Sequence, residues 1–304
     1  MKVFITGGTG LIGKLVVKRL IERGDEVTVL SRDREAAKKK FYDKVEVIQA
    51  NPTEKGQWQE IASNHDAIIN LAGEPVISKR WTEAEKKNIY DSRIKSTENV
   101  VEAIKKSQGK VKTLINASAV GYYGFQHDDR EINESETIGK DFLSHLCRDW
   151  EDVARKAEKF ETRVVRLRMG IVLAEHGGVL EKMVIPFKLY AGGHIGDGKQ
   201  WVPWIHIDDT INLILFSLDN ANIKGAINVT APNPVRMKDF CKEMGRIINR
   251  PSWLPVPTIT LKATFGEVAD IITSGQRAVP QKVLSNGYKF EFEKMELALN
   301  NLLG

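Results

Sequence analysis

The sequence predicts an α/β fold, a doubly wound parallel sheet with a smaller C-terminal lobe. Three observations carry this. Short apolar, β-branched runs alternate with longer helical patterns over the first 170 residues or so. A glycine-rich turn joins the first run to the first helix. Beyond Gly170 the alternation weakens and turns rich in glycine and proline take over.

The elements follow in order. Lys2–Thr6 (KVFIT) reads as a strand, and a helix runs from about residue 11 to 23. Within that helix Ile12, Leu15, Val16, Leu20 and Ile21 recur at helical spacing, and Gly24 stops it. Further strands are predicted at 26–30, 45–49, 67–71, 111–116 and 163–167, with helices near 82–106 and 140–158. Apolar strands alternating with helices imply a parallel sheet covered on both faces. The later chain carries AGGHIGDG at 191–198 and proline-bearing turns at 228–234 and 251–257. It is expected to cross back to the sheet near 205–218 and 226–229.

Composition narrows the function classes. A chain of 304 residues can bury a sizeable core, as one large or two intimate domains. Hydrophobic residues at 42% and charged residues at 28% are ordinary for a soluble globular protein. Cys147 and Cys241 form no CxxC pair, which argues against a disulfide framework or a cysteine-rich zinc site and fits a reducing cytosol. The first apolar run is too short for a signal segment, and no run approaches the ~20 residues of a membrane span, so a cytoplasmic protein is expected. The formal charge of +5 is largely local, with Lys38, Lys39 and Lys40 following Arg32 and Arg34. No basic stripe with interleaved aromatics accompanies it, so nucleic acid is not expected as a partner and an anionic small molecule is.

The firmest functional signal is TGGTGLIG at residues 6–13. Gly7, Gly10 and Gly13 form GxxGxxG directly after a strand and at the opening of a helix. Glycine permits the tight turn, lets backbone N–H groups approach a pyrophosphate, and lets the helix lie close to the strand. The context makes this a Rossmann-type dinucleotide site, with Gly7, Thr9, Gly10, Leu11, Ile12 and Gly13 as candidate contacts. An acid about 20 residues beyond the last glycine would bind the ribose hydroxyls of NAD. Arg32 lies 32 − 13 = 19 residues on, preceded by Ser31, and Asp33 falls past the strand's end. Ser31 and Arg32 suit a 2′-phosphate, so NADP(H) is favoured over NAD(H). The other reading of Arg32 is a solvated loop charge.

With these residues in place, the chain resembles the extended short-chain dehydrogenases/reductases. TGGTGLIG is joined by NLAG at 70–73, ASAVGYYG at 117–124 and WIHIDD at 204–209. It is more similar still to an atypical branch of NAD(P)-dependent, epimerase-like proteins whose substrate is unknown. That branch carries RWT (here 80–82), SRI-ST (92–97), GxGxQWxxWIHIDD (196–209) and a GQRAVPQKVL-like element (275–284). The resemblance implies a cofactor domain of 1–172 plus about 205–232, a substrate lobe of about 173–204 plus 233–304, and an active cleft between them. It places Leu71, Ala72 and Gly73 near the cofactor riboses, Asn51 near adenine, and Arg168, Gly170 and Ile171 beside the nicotinamide.

The family's usual catalytic group is a Ser/Thr with a YxxxK pair, in which lysine lowers the tyrosine pKa. Residues four beyond Tyr42, Tyr90, Tyr122, Tyr123, Tyr190 and Tyr288 are Glu46, Ile94, Gln126, His127, His194 and Phe292, so YxxxK is missing. With Glu151 as guide, its tyrosine and lysine positions fall on Leu143 and Cys147. Ser118 fits the serine position, and Tyr122 or Tyr123 is a candidate phenol, against a reading of both as packing. Cys147 reads as a small core residue. His206, with no second ligand at metal spacing, reads as a structural hydrogen bonder to a nearby carboxylate, so no metal is expected. Asp208 and Asp209 are expected to cap the next helix. Glu74, Arg80, Trp81 and Arg93, with Lys182, Gln200, Trp201 and Trp204 from the lobe, are candidates to line a cleft for an anionic substrate with a flat or sugar face. Surface salt bridges and core tryptophans are the alternative. Two functions stay open: an NADP(H)-dependent epimerase or reductase acting by hydride transfer on a small substrate such as a sugar nucleotide, and a non-catalytic NADP(H)-binding sensor. The chain is expected to be a monomer or homodimer.

Overall fold

The structure, a computed structural model, describes residues 1–42, 44–77, 79–126 and 128–304. The first half alternates strand and helix: β1 (Lys2–Thr6), α1 (Leu11–Glu22), β2 (Glu26–Ser31), α2 (Arg34–Phe41), β3 (Glu46–Gln49), α3 (Trp58–Ala62), β4 (Ala67–Asn70), α4 (Glu83–Lys106), β5 (Thr113–Ala119), α5 (Phe142–Arg155) and β6 (Arg163–Met169). Then come β7 (Ile171–Leu173), α6 (Gly178–Lys188), β8 (Trp201–Val202), β9 (Trp204–His206), α7 (Ile207–Asp219) and β10 (Gly225–Val229). The chain closes with β11 (Val235–Arg236), α8 (Met237–Ile247), α9 (Thr258–Phe265), α10 (Val268–Thr273), α11 (Gln281–Ser285) and α12 (Met295–Leu303).

Seven strands form one parallel sheet in the order β10-β6-β5-β4-β1-β2-β3. The order reverses at β1: the chain goes first to β2 and β3 on one side, then to β4, β5 and β6 on the other. Such a switch point opens a crevice at the carboxyl ends of the strands. Both faces are covered, as the near-continuous apolar strands require. Val16, Leu20, Ile211 and Ile214 of α1 and α7 fill one side, and Trp58, Val100, Ile104 and Ala154 the other. Two small pairs lie outside this sheet, β7 with β9 in parallel and β8 with β11 antiparallel. Among the described residues no helix is long and apolar enough to cross a membrane.

Three local readings change. The strand expected at 111–116 begins at Thr113 and runs to Ala119, and β6 extends to Met169, so Ser118 and Arg168 are paired sheet residues. Val111 is held back because its N–H bonds the Ser107 hydroxyl in the preceding turn. The helix expected at 140–158 starts later, since the Asp141 carboxylate accepts the Ser144 N–H at 3.0 Å as N-cap, and it tightens into a 3-10 turn over Lys156–Phe160. Asp209 does not cap α7. His206 is the N-cap, its Nδ1 accepting the Asp208 N–H at 3.1 Å. Asp209 is fully buried and accepts the N–H groups of Glu291 and Phe292 at 3.0 and 2.9 Å and the Tyr288 hydroxyl at 3.1 Å, which ties the C-terminal segment to α7.

Candidate cofactor cleft and its buried polar floor

The glycine turn sits at the switch point. Gly7 adopts φ +71°, and a Cβ there would lie 2.6 Å from the Leu71 carbonyl carbon, so only glycine fits. A Cβ on Gly13 would overlap the Gly7 carbonyl oxygen. Gly10 is the N-cap of the 12-residue α1 and offers no side chain to it, while the first helical bond is Lys14 N–H to Gly10 O at 3.0 Å. The N–H groups of Leu11, Ile12 and Gly13 are therefore left without intrahelical acceptors at the positive end of a helix, a fit for pyrophosphate. Thr9 presents its carbonyl to Lys40 Nζ at 2.7 Å. Gly178, opening α6, stands next to the Leu11 side chain, so the later chain borders the turn.

At the end of β2, Ser31 is buried, with its hydroxyl donated to Asp33 O at 2.8 Å. Asp33 caps α2 through the Ala36 N–H at 2.9 Å, which turns the acid into a structural role. Arg32 is exposed and its Nη1 meets Glu74 Oε1 at 3.1 Å, across the crevice from β2 to the turn after β4. The Asn51 amide is used in its own turn, accepting the Thr53 N–H and donating to Glu54. Leu71 bonds back to Thr6 O at 3.1 Å, Ala72 is buried and Gly73 is open to solvent. Gly170 packs its backbone onto Pro203, whose carbonyl accepts the Ile171 N–H at 2.7 Å, and this fixes the exit from β6.

Beneath the crevice the strand ends carry buried polar networks. Asn70 accepts from the Thr6 hydroxyl at 2.5 Å and donates to Thr97 Oγ1 at 2.9 Å and Asn116 Oδ1 at 2.7 Å, which locks β1, α4, β4 and β5 together. The second network centres on Glu151 of α5. Its carboxylate accepts Ser118 Oγ at 2.8 Å, Arg168 Nε at 2.8 Å and Nη2 at 3.0 Å, and Arg166 Nη1 at 3.2 Å. Arg168 also donates to the Tyr123 hydroxyl at 3.0 Å and stacks its guanidinium 3.5 Å from the Tyr122 ring centroid. Burial pulls the Arg168 pKa down, but Glu151 and Tyr123 raise it more, so the cation is held firmly.

This geometry gives three of the expected site residues partners within the protein. Ser118 is buried and its hydroxyl donates a hydrogen bond to Glu151. Tyr123 has no exposed surface, donates to Asn228 Oδ1 at 2.6 Å, and burial pushes its pKa up to about 12 despite Arg168. Arg168 is buried, with both edges of its guanidinium engaged by Glu151 and Tyr123. Among the described residues Tyr122 keeps its hydroxyl without a protein partner and is part-exposed. Cys147 is buried, as expected, with its thiol pushed up to about 12 by burial and then Glu151. His206 Nε2 hydrogen-bonds Asn301 Oδ1 at 3.1 Å, while the Asp208 carboxylate lies 3.7 Å from its Nδ1.

The substrate candidates do not converge as a set. Glu74 and Arg93 flank the Gly73 turn. Trp81 packs edge-on to Phe142 and bonds Val76 O, with the exposed Arg80 beside Gly266. Lys182 is exposed on α6. Gln200 spends its amide on Ile195 and Ile272 carbonyls. Trp201 lies between the guanidiniums of Arg236 and Arg277 at 3.9 and 4.9 Å. Trp204 is fully buried in the main core with its indole N–H on Asn233 O, and so cannot line a cleft. Sequence reasoning missed the four-donor role of Glu151. The signal was present: Arg166 and Arg168 alternate on one face of a core strand, and two buried guanidiniums demand a carboxylate.

Residues 3–230 match the profile of the NAD dependent epimerase/dehydratase family. The chain belongs to that family. Residues 256–302 match a separate domain of unknown function, DUF1731. The chain is 40% identical to the chloroplastic epimerase family protein SDR39U1 homolog of Arabidopsis thaliana, over all of this chain and 87% of that protein. It is 40% identical to epimerase family protein YfhF of Bacillus subtilis, over 100% and 98%. The crystal structure of human epimerase family protein SDR39U1 (isoform2) with NADPH superposes with a TM-score of 0.88 at 32% identity, over 100% of this chain and 99% of that one.

Proposed function

We propose that the chain holds NADP(H) across the carboxyl ends of β2, β1, β4 and β5, and acts by hydride transfer on a small anionic substrate. The observation that carries this is the glycine cradle, where Gly7 and Gly13 leave room that any side chain would fill and α1 points three free N–H groups into it. Gly10, Leu11, Ile12 and Gly13 would hold the pyrophosphate, Leu71, Ala72 and Gly73 the riboses, and Gly170 and Ile171 the nicotinamide side. When bound, the nicotinamide supplies or accepts a hydride. The chain's own part is to orient that ring and exclude water, with the Tyr122 phenol the available hydroxyl for a proton. A sugar nucleotide is favoured by family analogy, and either net reduction or epimerisation fits. The cofactor unit is taken as 1–172 plus about 205–232, and the cytoplasm as its place of action.

Preference for NADP(H) over NAD(H) rests on Arg32. Among the described residues its ion-pair partner is Glu74 at an exposed site, a pair worth ~0–1 kcal/mol. A 2′-phosphate would draw it away. Ser31 would need to give up its bond to Asp33 to join. The test is titration with NADPH and NADH. NADPH should bind tighter, and Arg32→Ala should weaken NADPH about tenfold or more while leaving NADH unchanged. Equal affinities, or an indifferent Arg32→Ala, would remove the preference.

A second reading is supported by Ser118 and Tyr123 being spent on Glu151 and Asn228: a sensor that holds NADP(H) without turnover. Incubating the cofactor-loaded protein with carbonyl and sugar-nucleotide panels, and following both the reduced nicotinamide band and the products, separates the two: a net reduction consumes the band, an epimerisation converts the sugar without net loss of it, and a sensor does neither.

A further inference from the structure

We infer that Arg93, from α4, anchors the nicotinamide-side phosphate of the bound dinucleotide. The inference rests on the NADP(H) reading above and assigns a residue that reading leaves to the substrate. Arg93 lies across Gly73: a Cβ on that glycine would stand 3.1 Å from the guanidinium carbon. The same group sits 5.2 Å from the Trp150 ring centroid on α5. Nη1 donates to Ile89 O at 3.1 Å, one turn back on its own helix. Among the described residues no carboxylate comes within 4.0 Å of it, whereas Arg166 and Arg168 share Glu151 and Arg32 has Glu74.

Its charged surroundings do not neutralise it. Burial lowers the Arg93 pKa, and the groups that act against this are Cys147 and Glu74. Cys147, its pKa pushed up to about 12, is a neutral thiol at pH 7. Glu74 is engaged by Arg32. A part-buried cation without a counter-ion is costly, and the stacking on Trp150 offsets part of that cost. Arg93 keeps part of its surface, and its Nε lies 3.4 Å from the Cβ position of the exposed Gly73. The guanidinium opens beside that glycine, in the crevice. An oxyanion arriving there gains a charge-assisted bond to a guanidinium already held in place by ring, glycine and helix backbone.

Sheet order selects the phosphate. Arg32 follows β2, on one side of β1, and marks the adenosine end. Arg93 packs by β4 against α5, on the other side, which is where the second half of a dinucleotide crossing at β1 must lie.

The test compares NADPH with adenosine 2′,5′-bisphosphate, which lacks the nicotinamide-side phosphate, by equilibrium titration of the full chain. Arg93→Gln should weaken NADPH about ten- to hundredfold and leave the bisphosphate within about twofold, with Arg93→Lys in between. Without ligand, the melting temperature of Arg93→Gln should hold or rise, because an unpaired part-buried charge is removed. Parallel weakening of both ligands, or of neither, overturns the inference, as does a ligand-free melting temperature lowered by several degrees in both variants. Failure of the wild type to bind NADPH overturns the cofactor reading itself.

Discussion

Removing the Glu151 carboxylate is the sharpest perturbation of the site's floor. The side chain is 1% exposed and accepts four hydrogen bonds, three from the guanidiniums of Arg166 and Arg168. Glu151→Gln keeps the shape but leaves two cations against a neutral amide whose NH₂ confronts donors. Breaking a buried ion pair from one side costs ~3–5 kcal/mol, a large part of the ~5–15 kcal/mol that stabilises a typical domain. Ser118→Ala takes one neutral donor from a carboxylate that keeps its three charged ones, so ~1 kcal/mol is expected. Urea unfolding followed by tryptophan fluorescence measures both. With a slope of ~3 kcal/mol/M, the midpoint should fall by about 1.3 M for Glu151→Gln and about 0.3 M for Ser118→Ala, at constant slope. NADPH affinity should be unchanged in Ser118→Ala. Equal midpoints for the two variants, or a Glu151→Gln loss under ~1 kcal/mol, would refute the claim that this carboxylate holds the floor. Lost NADPH binding in a stable Ser118→Ala would return the serine to the working site.

Two further outcomes follow from the geometry. Gly13→Ala drives a methyl into the Gly7 carbonyl, so the turn must shift. A stability loss of ~1–3 kcal/mol and loss of the NADPH-induced rise in melting temperature are expected, checked by thermal melts with and without NADPH. Burial lowers the His206 pKa from 6.5 although Asp208 opposes it. The neutral ring is favoured in the folded state, so its contribution is present above the unfolded pKa of 6.5 and is lost as pH falls from there through the lower folded value. Melting temperature should decline below about pH 6.5, and His206→Asn should flatten part of that decline; burial lowers His65 in the same direction, so a residue of the slope persists.

The sheet was legible because its strands are buried on both faces and its glycines sit where backbone touches backbone. KVFIT, AIIN and TGGTGLIG each admit few alternatives. Side-chain roles at the strand ends were less legible, because they depend on partners distant in sequence. Ser118 meets Glu151 33 residues on, and Tyr123 meets Asn228 105 residues on. The pattern shows a polar group at a strand's end but not whether another chain segment has already claimed it. Trp204 failed for a related reason. An indole N–H satisfied by a backbone carbonyl makes a tryptophan as good a core residue as a cleft wall. Arg32 with Glu74 was the opposite case, two residues chosen for different ligands that face each other.

The two networks divide the crevice into parts that answer to different constraints. At β1 the backbone itself is shaped for an anion, and that shape needs glycine at positions 7 and 13. At β5 and β6 the residue types that the superfamily uses for proton transfer persist, but Ser118 and Tyr123 are bonded inward, and Leu143 and Cys147 stand where tyrosine and lysine would be. The Glu151 carboxylate is already engaged by four donors, and burial pushes the Tyr123 phenol up to about 12, out of range for acid or base work at neutral pH. Cofactor retention and superfamily chemistry are therefore separable here. On the reading proposed above, proton movement would use a group at the rim, and among the described residues the Tyr122 hydroxyl, whose ring is already fixed under Arg168 at 3.5 Å, is a candidate without a protein partner.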